Sequence, residues 1–331
     1  MNLQNRIDLM VLLGEYLKKN TPEWQAVKSE ATAKNPWFTE KFINQATDVV
    51  VTQFLNRALL EQWTAHYHLD NLIADKNVGI VMAGNIPMVG FHDFLCVFIS
   101  GHRQTIKLSS KDDALLAHLI NELYKWNDEV KNYITFAEQL KGCDAYIATG
   151  GNQSAPYFEQ YFSKYPNIIR KNRTSVAILT GNETYDELLE LSRDIHLYFG
   201  LGCRNVTKIF ISKNYDFIPL LKSFEAFKDF RDHHKYSNNY DYQLSILLLN
   251  NVKYMTNEST LLIEDKRIFS AISILHYEYY ENRDTLEAEL KKDEQIQCII
   301  SKADIPFGKA QQPDLFSYAD GKDTIQFLLT L

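Results

Sequence analysis

The four cysteines are the strongest nucleophiles of the chain, and their surroundings differ. Cys96 lies within Phe94-Leu95-Cys96-Val97-Phe98 and Cys298 within Gln297-Cys298-Ile299-Ile300, apolar runs in which a thiol is usually inert core filling. Cys203 instead follows Gly200-Leu201-Gly202 and precedes Arg204-Asn205. The glycines make a loop that a ligand can approach closely, and Arg204 and Lys208 are near enough in sequence to favour a thiolate. The helix expected before the loop works weakly against that charge, because it presents its C-terminus. On the residues alone, Cys203 is either a reagent or another quiet thiol.

Gly200-x-Gly202 is not a dinucleotide fingerprint. Its sixth position is Asn205, and it follows a helix and precedes a strand, the reverse of strand-turn-helix. His233 and His234 adjoin only Asp232 and have no further ligand at metal spacing, so they read as loop or surface residues and no metal is expected. Their roles stay open, as does that of Arg267. The cysteines are scattered without a CxxC pair, which argues against a disulfide framework or structural zinc and for a reducing, cytoplasmic setting.

The elements that must position these residues alternate. Residues 1 to about 75 read as helices, punctuated by Pro22 and Pro36. From Asn77 onward, short apolar runs at 78–83, 104–108, 144–149 and 175–179 read as strands. Helical patterns separate them, one at about 112–126, and the helix 185–198 follows the last. Strands buried on both faces and alternating with helices predict a doubly wound parallel sheet, whose ligands sit beyond the carboxyl ends of the strands. Asn85, Lys107 with Ser109 and Ser110, and Thr149-Gly150-Gly151 (leading to Asn152) all fall at such ends. A second α/β unit begins after Cys203, with strands at 207–211, 272–277 and 296–300. The expected organisation is an N-terminal helical segment 1–75, a nucleotide-binding domain 76–198, a catalytic domain 199–305 and a closing segment 306–331.

At 331 residues the chain is long for one domain, and two are the default. A net charge of −7 argues against a nucleic-acid backbone as partner. No apolar run is long enough to span a membrane, and the N-terminus lacks the pattern of a secretory signal.

Several of these segments, in order, resemble the aldehyde dehydrogenase superfamily. Val81-Met82-Ala83-Gly84-Asn85-Ile86-Pro87 resembles its Asn-containing turn after a strand. Lys107 with Ser109 resembles its cofactor-binding Lys-Pro-Ser strand, and Thr149-Gly150-Gly151 its Thr-Gly-Ser turn. Cys203, followed five residues on by basic Lys208 and Ile209-Phe210-Ile211, resembles its nucleophile loop. Ile268-Phe269 resembles its Ile-Phe-Gly-Pro segment. Within the superfamily the chain is most similar to the LuxC-like acyl-CoA reductases, through 307–328 with Gly308-Lys309-Ala310-Gln311-Gln312-Pro313 and through His233 to Tyr240.

The resemblance implies an aldehyde dehydrogenase-like α/β fold and an NADPH-dependent reduction of a fatty acyl-CoA to the aldehyde. Cys203 would be the nucleophile, and the Asn85 amide would stabilise the oxyanion together with the Cys203 N–H. Lys107, Ser109, Ser110, Thr149, Gly150 and Gly151 would hold the cofactor. The donor would be acyl-CoA or an acyl carrier or synthetase, and a homo-oligomer is compatible with the superfamily. Three departures matter. Arg170 stands where hydrolytic members carry the water-activating Glu, which favours a reductive fate for the acyl group. Arg267 replaces the Glu that holds the nicotinamide ribose. Ser110 replaces an acidic residue that disfavours a 2′-phosphate, so NADPH is expected, with NADH tolerated. The alternatives are a cysteine-dependent acyltransferase or thioesterase, against which no His stands out as base, and a cofactor-binding subunit without activity.

Overall fold

In the computed structural model, residues 1–69, 75–151 and 153–331 are described; residues 70–74 and Asn152, part of the expected helical segment and glycine turn, lie outside them. The chain divides into two compact units, Met1–Asn172 with Pro313–Leu331, and Arg173–Gln312.

The first unit opens with four helices, α1 (Leu3–Lys19), α2 (Pro22–Lys34), α3 (Glu40–Val49) and α4 (Arg57–His66). Each start is capped by a short polar side chain, Asn2, Thr21, Thr39 or Asn56, that accepts a backbone N–H otherwise left without a partner. These helices are not a separate segment. Arg6 Nε of α1 donates to Ile99 O at 3.2 Å, and Tyr16 Oη lies 2.7 Å from His118 Nε2.

The first sheet contains β1 (Asn77–Val81), β2 (Arg103–Lys107), β3 (Ile134–Phe136), β4 (Ala145–Thr149) and β5 (Asn167–Arg170). Between them lie α5 (Phe91–Ser100), α6 (Leu115–Trp126) and α7 (Ala155–Phe162). The order is β3-β2-β1-β4-β5, all parallel, so the winding reverses between β1 and β4. A crevice at the carboxyl ends of such a switch point is where doubly wound sheets take ligands. The chain's end returns to this unit. Trp63 Nε1 donates to Tyr318 Oη at 2.8 Å, Tyr67 Oη to Asp323 at 2.6 Å, and His102 Nε2 meets Leu328 O at 3.0 Å.

The second unit holds a mixed sheet built from β6 (Thr174–Leu179), β7 (Val206–Ile211), β8 (Met255–Thr256), β9 (Leu261–Glu264), β10 (Ile274–Tyr279) and β11 (Ile296–Ile300). Its helices are α8 (Tyr185–His196), α9 (Phe217–Ser223), α10 (His234–Leu249) and α11 (Arg283–Leu290). The order is β11-β6-β7-β10-β9-β8, parallel except for the β8–β9 pair.

The division therefore differs from the expected organisation. The strand at 174–179, assigned from sequence to a nucleotide-binding domain ending at 198, joins the second sheet between β11 and β7, and the boundary falls at 172/173. Every residue of β6 is buried, so its apolar pattern is identical for either sheet and does not report its neighbours. The helices 1–69 belong with the first sheet, and the expected closing segment splits, 306–312 with the second unit and 313–331 with the first. Strands β3, β5, β8 and β9 are additions to the expected set; all four have four residues or fewer. Among the described residues no helix is long and apolar enough to cross a membrane, and no cluster of His, Cys, Asp or Glu is arranged to hold a metal.

Candidate active site

In the second unit, α8 begins with a reciprocal capping box between Thr184 and Glu187 and ends at His196. The chain then turns through three consecutive left-handed residues, Tyr198 (φ 55°), Phe199 (φ 55°) and Gly200 (φ 76°). That conformation is easy for glycine and costs roughly 1–2 kcal/mol for each aromatic residue. Packing offsets the cost. Both aromatic side chains are buried, and the Phe199 ring lies 4.6 Å from Phe230 and 4.5 Å from His233.

Asn205 organises the loop between this turn and β7. Its Oδ1 accepts from Gly202 N at 2.8 Å, and its Nδ2 donates to Leu197 O at 2.8 Å, Asp194 O at 3.0 Å and Ile195 O at 3.3 Å. One fully buried amide thus satisfies the last carbonyls of α8 and fixes the loop carrying Cys203. Ser175 of β6 completes the hold, its Oγ donating to Cys203 O at 3.1 Å and its N to Asn205 O at 3.1 Å. Cys203 itself is partly exposed, whereas Cys96, Cys143 and Cys298 are buried. Burial pushes the Cys96 thiol well above its ordinary range and raises that of Cys143. The thiol singled out by its loop is the accessible one.

One of the expected basic neighbours, Lys208, is engaged elsewhere. Lys208 is fully buried on β7, its Nζ bonded to Glu278 at 2.5 Å and to Lys266 O at 2.8 Å. Arg204 Nη1 lies 3.2 Å from the sulfur of Cys298. His233 is a helix cap: its Nδ1 accepts from Tyr236 N at 3.4 Å at the start of α10, and His234 is exposed. Arg267 pairs with Asp265 at 2.5 Å, and that ion pair pulls the Asp265 carboxyl down to about 2.

Two buried titratable groups lie beneath the loop. Asp194 of α8 accepts from Gly308 N at 2.7 Å and Ala310 N at 3.1 Å, yet burial pushes its carboxyl up to about 7. His196 Nδ1 faces Ser192 O at 2.8 Å and so carries the proton, which leaves Nε2 to accept from Thr260 Oγ1 at 2.8 Å. Burial holds it neutral, at about 4.

In the first unit, the expected cofactor residues do collect at the carboxyl ends of adjacent strands. β1 lies between β2 and β4, with Val81 paired to Lys107 on one side and to Ala148 on the other. Lys107 and Ser110 are exposed, and Ser109 is half-buried with its Oγ accepting from Lys111 N at 3.2 Å. Asn85 is exposed on the turn after β1. Thr149 and Gly150 are half-buried and Gly151 is exposed, just before α7. A Cβ on Gly150 would come 2.6 Å from the Phe158 ring, whereas one on Gly151 would meet nothing within 4 Å. A strand, a glycine turn and a helix start next to an exposed lysine suit the phosphates of a dinucleotide.

The turn and the β2 loop are packed together. A Cβ on Gly84 would lie 2.4 Å from Ser109 Oγ, and Asp112 Oδ2 accepts from Met88 N at 2.7 Å. Asp112 Oδ1 is buried with no hydrogen-bond partner, and burial pushes the carboxyl up to about 6.

Arg170, at the end of β5, is buried in an ion pair with Asp93 and donates to Thr324 Oγ1 at 2.9 Å. Burial opposes its charge, but the attraction and hydrogen bond of Asp93 outweigh that and hold the guanidinium above its ordinary value. It clamps β5, α5 and the C-terminal helix Thr324–Leu329.

Neither a family model nor a curated protein matches the sequence. Solved structures do match. Aldehyde dehydrogenase 21 from Physcomitrella patens, solved with the reaction product succinate, aligns at a TM-score of 0.67 and 11% identity over 91% of this chain and 74% of its own. An NAD-dependent aldehyde dehydrogenase from Sinorhizobium meliloti gives 0.66 and 10% over 91% and 70%. The indole-3-acetaldehyde dehydrogenase AldA of P. syringae, solved with NAD+, gives 0.64 and 10% over 91% and 72%. At such identities the likeness concerns architecture, and it agrees with the two sheets and their winding: the chain has the aldehyde dehydrogenase-like fold.

Proposed function

We propose that the protein is an NADPH-dependent acyl thioester reductase that converts a fatty acyl-CoA to the aldehyde through an S-acyl-Cys203 intermediate. The observation that carries this reading is the construction of the Cys203 loop. A partly exposed thiol is presented on strained, aromatic-packed backbone clamped by a single buried amide. Strain of this kind persists where the surroundings over-determine it, and it clusters at functional sites.

In this mechanism the Cys203 thiolate attacks the thioester carbonyl and the thiol of CoA departs, leaving the acyl group on sulfur. The Asn85 amide and the Cys203 N–H support the oxyanion, each such donor being worth about 3 kcal/mol in comparable chemistry. When bound, the dinucleotide would supply the hydride that reduces the S-acyl group to the aldehyde, with the Cys203 thiolate as the leaving group. Lys107, Ser109, Ser110, Thr149, Gly150 and Gly151 would hold that dinucleotide. A 2′-phosphate is favoured by exposed Lys107 and by the absence of acid at Ser110; Asp112, two residues on, is turned inward onto Met88 N. Arg170, buried and paired with Asp93, offers no base to activate water, which suits an acyl group meant for hydride.

The test is to incubate the protein with acyl-CoAs of graded chain length and then add NADPH or NADH. Stoichiometric CoA release without reductant, followed by cofactor oxidation and aldehyde, supports the reading. CoA release that never consumes cofactor points to a transferase or thioesterase. A Cys203→Ala protein that still acquires an acyl adduct removes Cys203 from the mechanism.

A further inference from the structure

The carboxylate of Asp112 is a costly arrangement for a loop residue. The side chain is buried, one oxygen takes Met88 N at 2.7 Å, and the other has no hydrogen-bond partner. A buried acceptor without a donor destabilises the ionised form, and an apolar residue would avoid that cost.

What the carboxylate holds is the turn from Gly84 to Gly90. Both ends of that turn are glycines in tight contact: a Cβ on Gly84 would reach Ser109 and one on Gly90 would lie 2.8 Å from the sulfur of Met82. Its middle contains Met88 in a left-handed conformation (φ 55°), strained for an unbranched side chain. The Met88 N–H is the donor that Asp112 captures, so the bond fixes the strained residue three positions after Asn85. Asp112 is itself fixed, its N donating to Ser109 O at 3.0 Å.

We propose that Asp112 is a positioning residue for the Asn85 amide: the ionised carboxylate locks the Gly84–Gly90 turn, and protonation releases it. The proposal rests on the role given to Asn85 above. Burial raises the Asp112 carboxyl to about 6, the Met88 N–H works the other way, and Asp113 adds a smaller push upward. Asp113 is paired with Lys34 at 3.1 Å. Lys111, also in the loop, is exposed. The lock is therefore set above about pH 6 and loosens below it.

The experiment uses the full chain and octanoyl-CoA as probe, with the CoA burst followed by chromatography in the absence of reductant. Asp112→Ala is expected to slow the burst about tenfold, the size of one charge-assisted hydrogen bond. Asp112→Asn, neutral like the protonated acid, is expected to hold the burst at the wild-type chain's low-pH rate at every pH, which removes the step near pH 6. On an Asn85→Ala background Asp112→Ala has little further effect, because both act through one group. An equal tenfold loss on that background overturns the proposal.

Hydrogen exchange at the Met88 amide is the second readout and does not depend on activity. Corrected for intrinsic rates, protection falls in the wild-type chain from about pH 7.5 to pH 5 and is lost in Asp112→Ala at both. Identical protection in the two proteins overturns the proposal. If no acyl-CoA releases CoA from the wild-type chain while Met88 protection follows Asp112 as expected, the reductase reading fails and the lock stands.

Discussion

Two segments carry the proposed chemistry, and they are held by opposite devices. The Cys203 loop is clamped by Asn205, a neutral amide whose oxygen and nitrogen face one N–H and three carbonyls, so its orientation is unambiguous and both of its ends are bonded. The Asn85 turn is clamped by Asp112, an acid with one oxygen bonded and the other bare. The amide clamp is indifferent to pH, and the acid clamp is not. Geometry that must never relax is assigned to a satisfied neutral group, while the turn on the first sheet hangs on a group that titrates.

The largest effect is expected where the neutral clamp is broken. Asn205→Ala orphans Gly202 N and the largely buried carbonyls at the end of α8, and leaves a cavity beneath the strained turn. The loss should be about 3–5 kcal/mol, read as a drop in urea midpoint. Alkylation of Cys203 by iodoacetamide should become no more selective than that of the other thiols. Asn205→Asp should be at least as damaging, because it turns three bonds to carbonyls into repulsions. An Asn205→Ala protein of unchanged stability would remove the neutral half of the comparison.

A smaller, pH-dependent effect is expected beneath the same loop. The raised Asp194 carboxyl keeps its proton in the folded state up to about 7, whereas an unfolded Asp loses it near 4. Its stabilising contribution is therefore complete below about pH 4 and lost as pH rises toward 7, by at most about 4 kcal/mol. His196 runs the other way. Held at about 4 when folded, it costs stability as pH falls from about 6.5 to 4, by at most about 3 kcal/mol. The two slopes oppose each other across the same window, so the second unit should unfold with nearly level midpoints between pH 4.5 and 6.5. Asp194→Asn removes the falling slope, so its stability should rise with pH across that window. It also leaves only one acceptor for Gly308 N and Ala310 N, which lowers the midpoint at every pH. Parallel curves for the variant and the wild-type chain would show that Asp194 is charged throughout.

The loop bearing Cys203 is legible in the sequence because glycine, polarity and an element boundary coincide within six residues, and local composition reports local exposure. The strand ends bearing Asn85, Lys107 and Thr149 are legible for a similar reason, since apolar runs end abruptly there. Asn205 is visible only as the residue that spoils a glycine fingerprint. Its partners at 194, 195 and 197 are near in sequence, and an Asn between a glycine loop and a strand is the available signal. The clamp made by Arg170 cannot be read, since its partners Asp93 and Thr324 are 77 and 154 residues away. Nor can β6 be placed, because a strand buried on both faces carries no mark of its neighbours. Lys208 shows the hazard of sequence proximity: five residues after Cys203, its ammonium is spent on Glu278 of the neighbouring strand.

The smallest effect tests whether the acid-held turn is as tightly built as the amide-held loop. Gly84→Ala introduces a Cβ at 2.4 Å from Ser109 Oγ and 2.7 Å from Ser109 Cβ, so the turn and the β2 loop must part by several tenths of an ångström. Overpacking of this kind costs roughly 1–3 kcal/mol, and the short Ser109 side chain can rotate its hydroxyl but not its Cβ. The shift acts on the loop that carries Lys107, Ser109 and Ser110, so on the reductase reading proposed above NADPH affinity should fall severalfold while alkylation of Cys203 is unchanged. Ser109→Gly in the same protein removes the clash and should restore most of the affinity. Failure of that rescue would mean that Ser109 is needed for the cofactor in its own right, and that the two halves of the strand-end site are bound by ligand contacts more than by their packing.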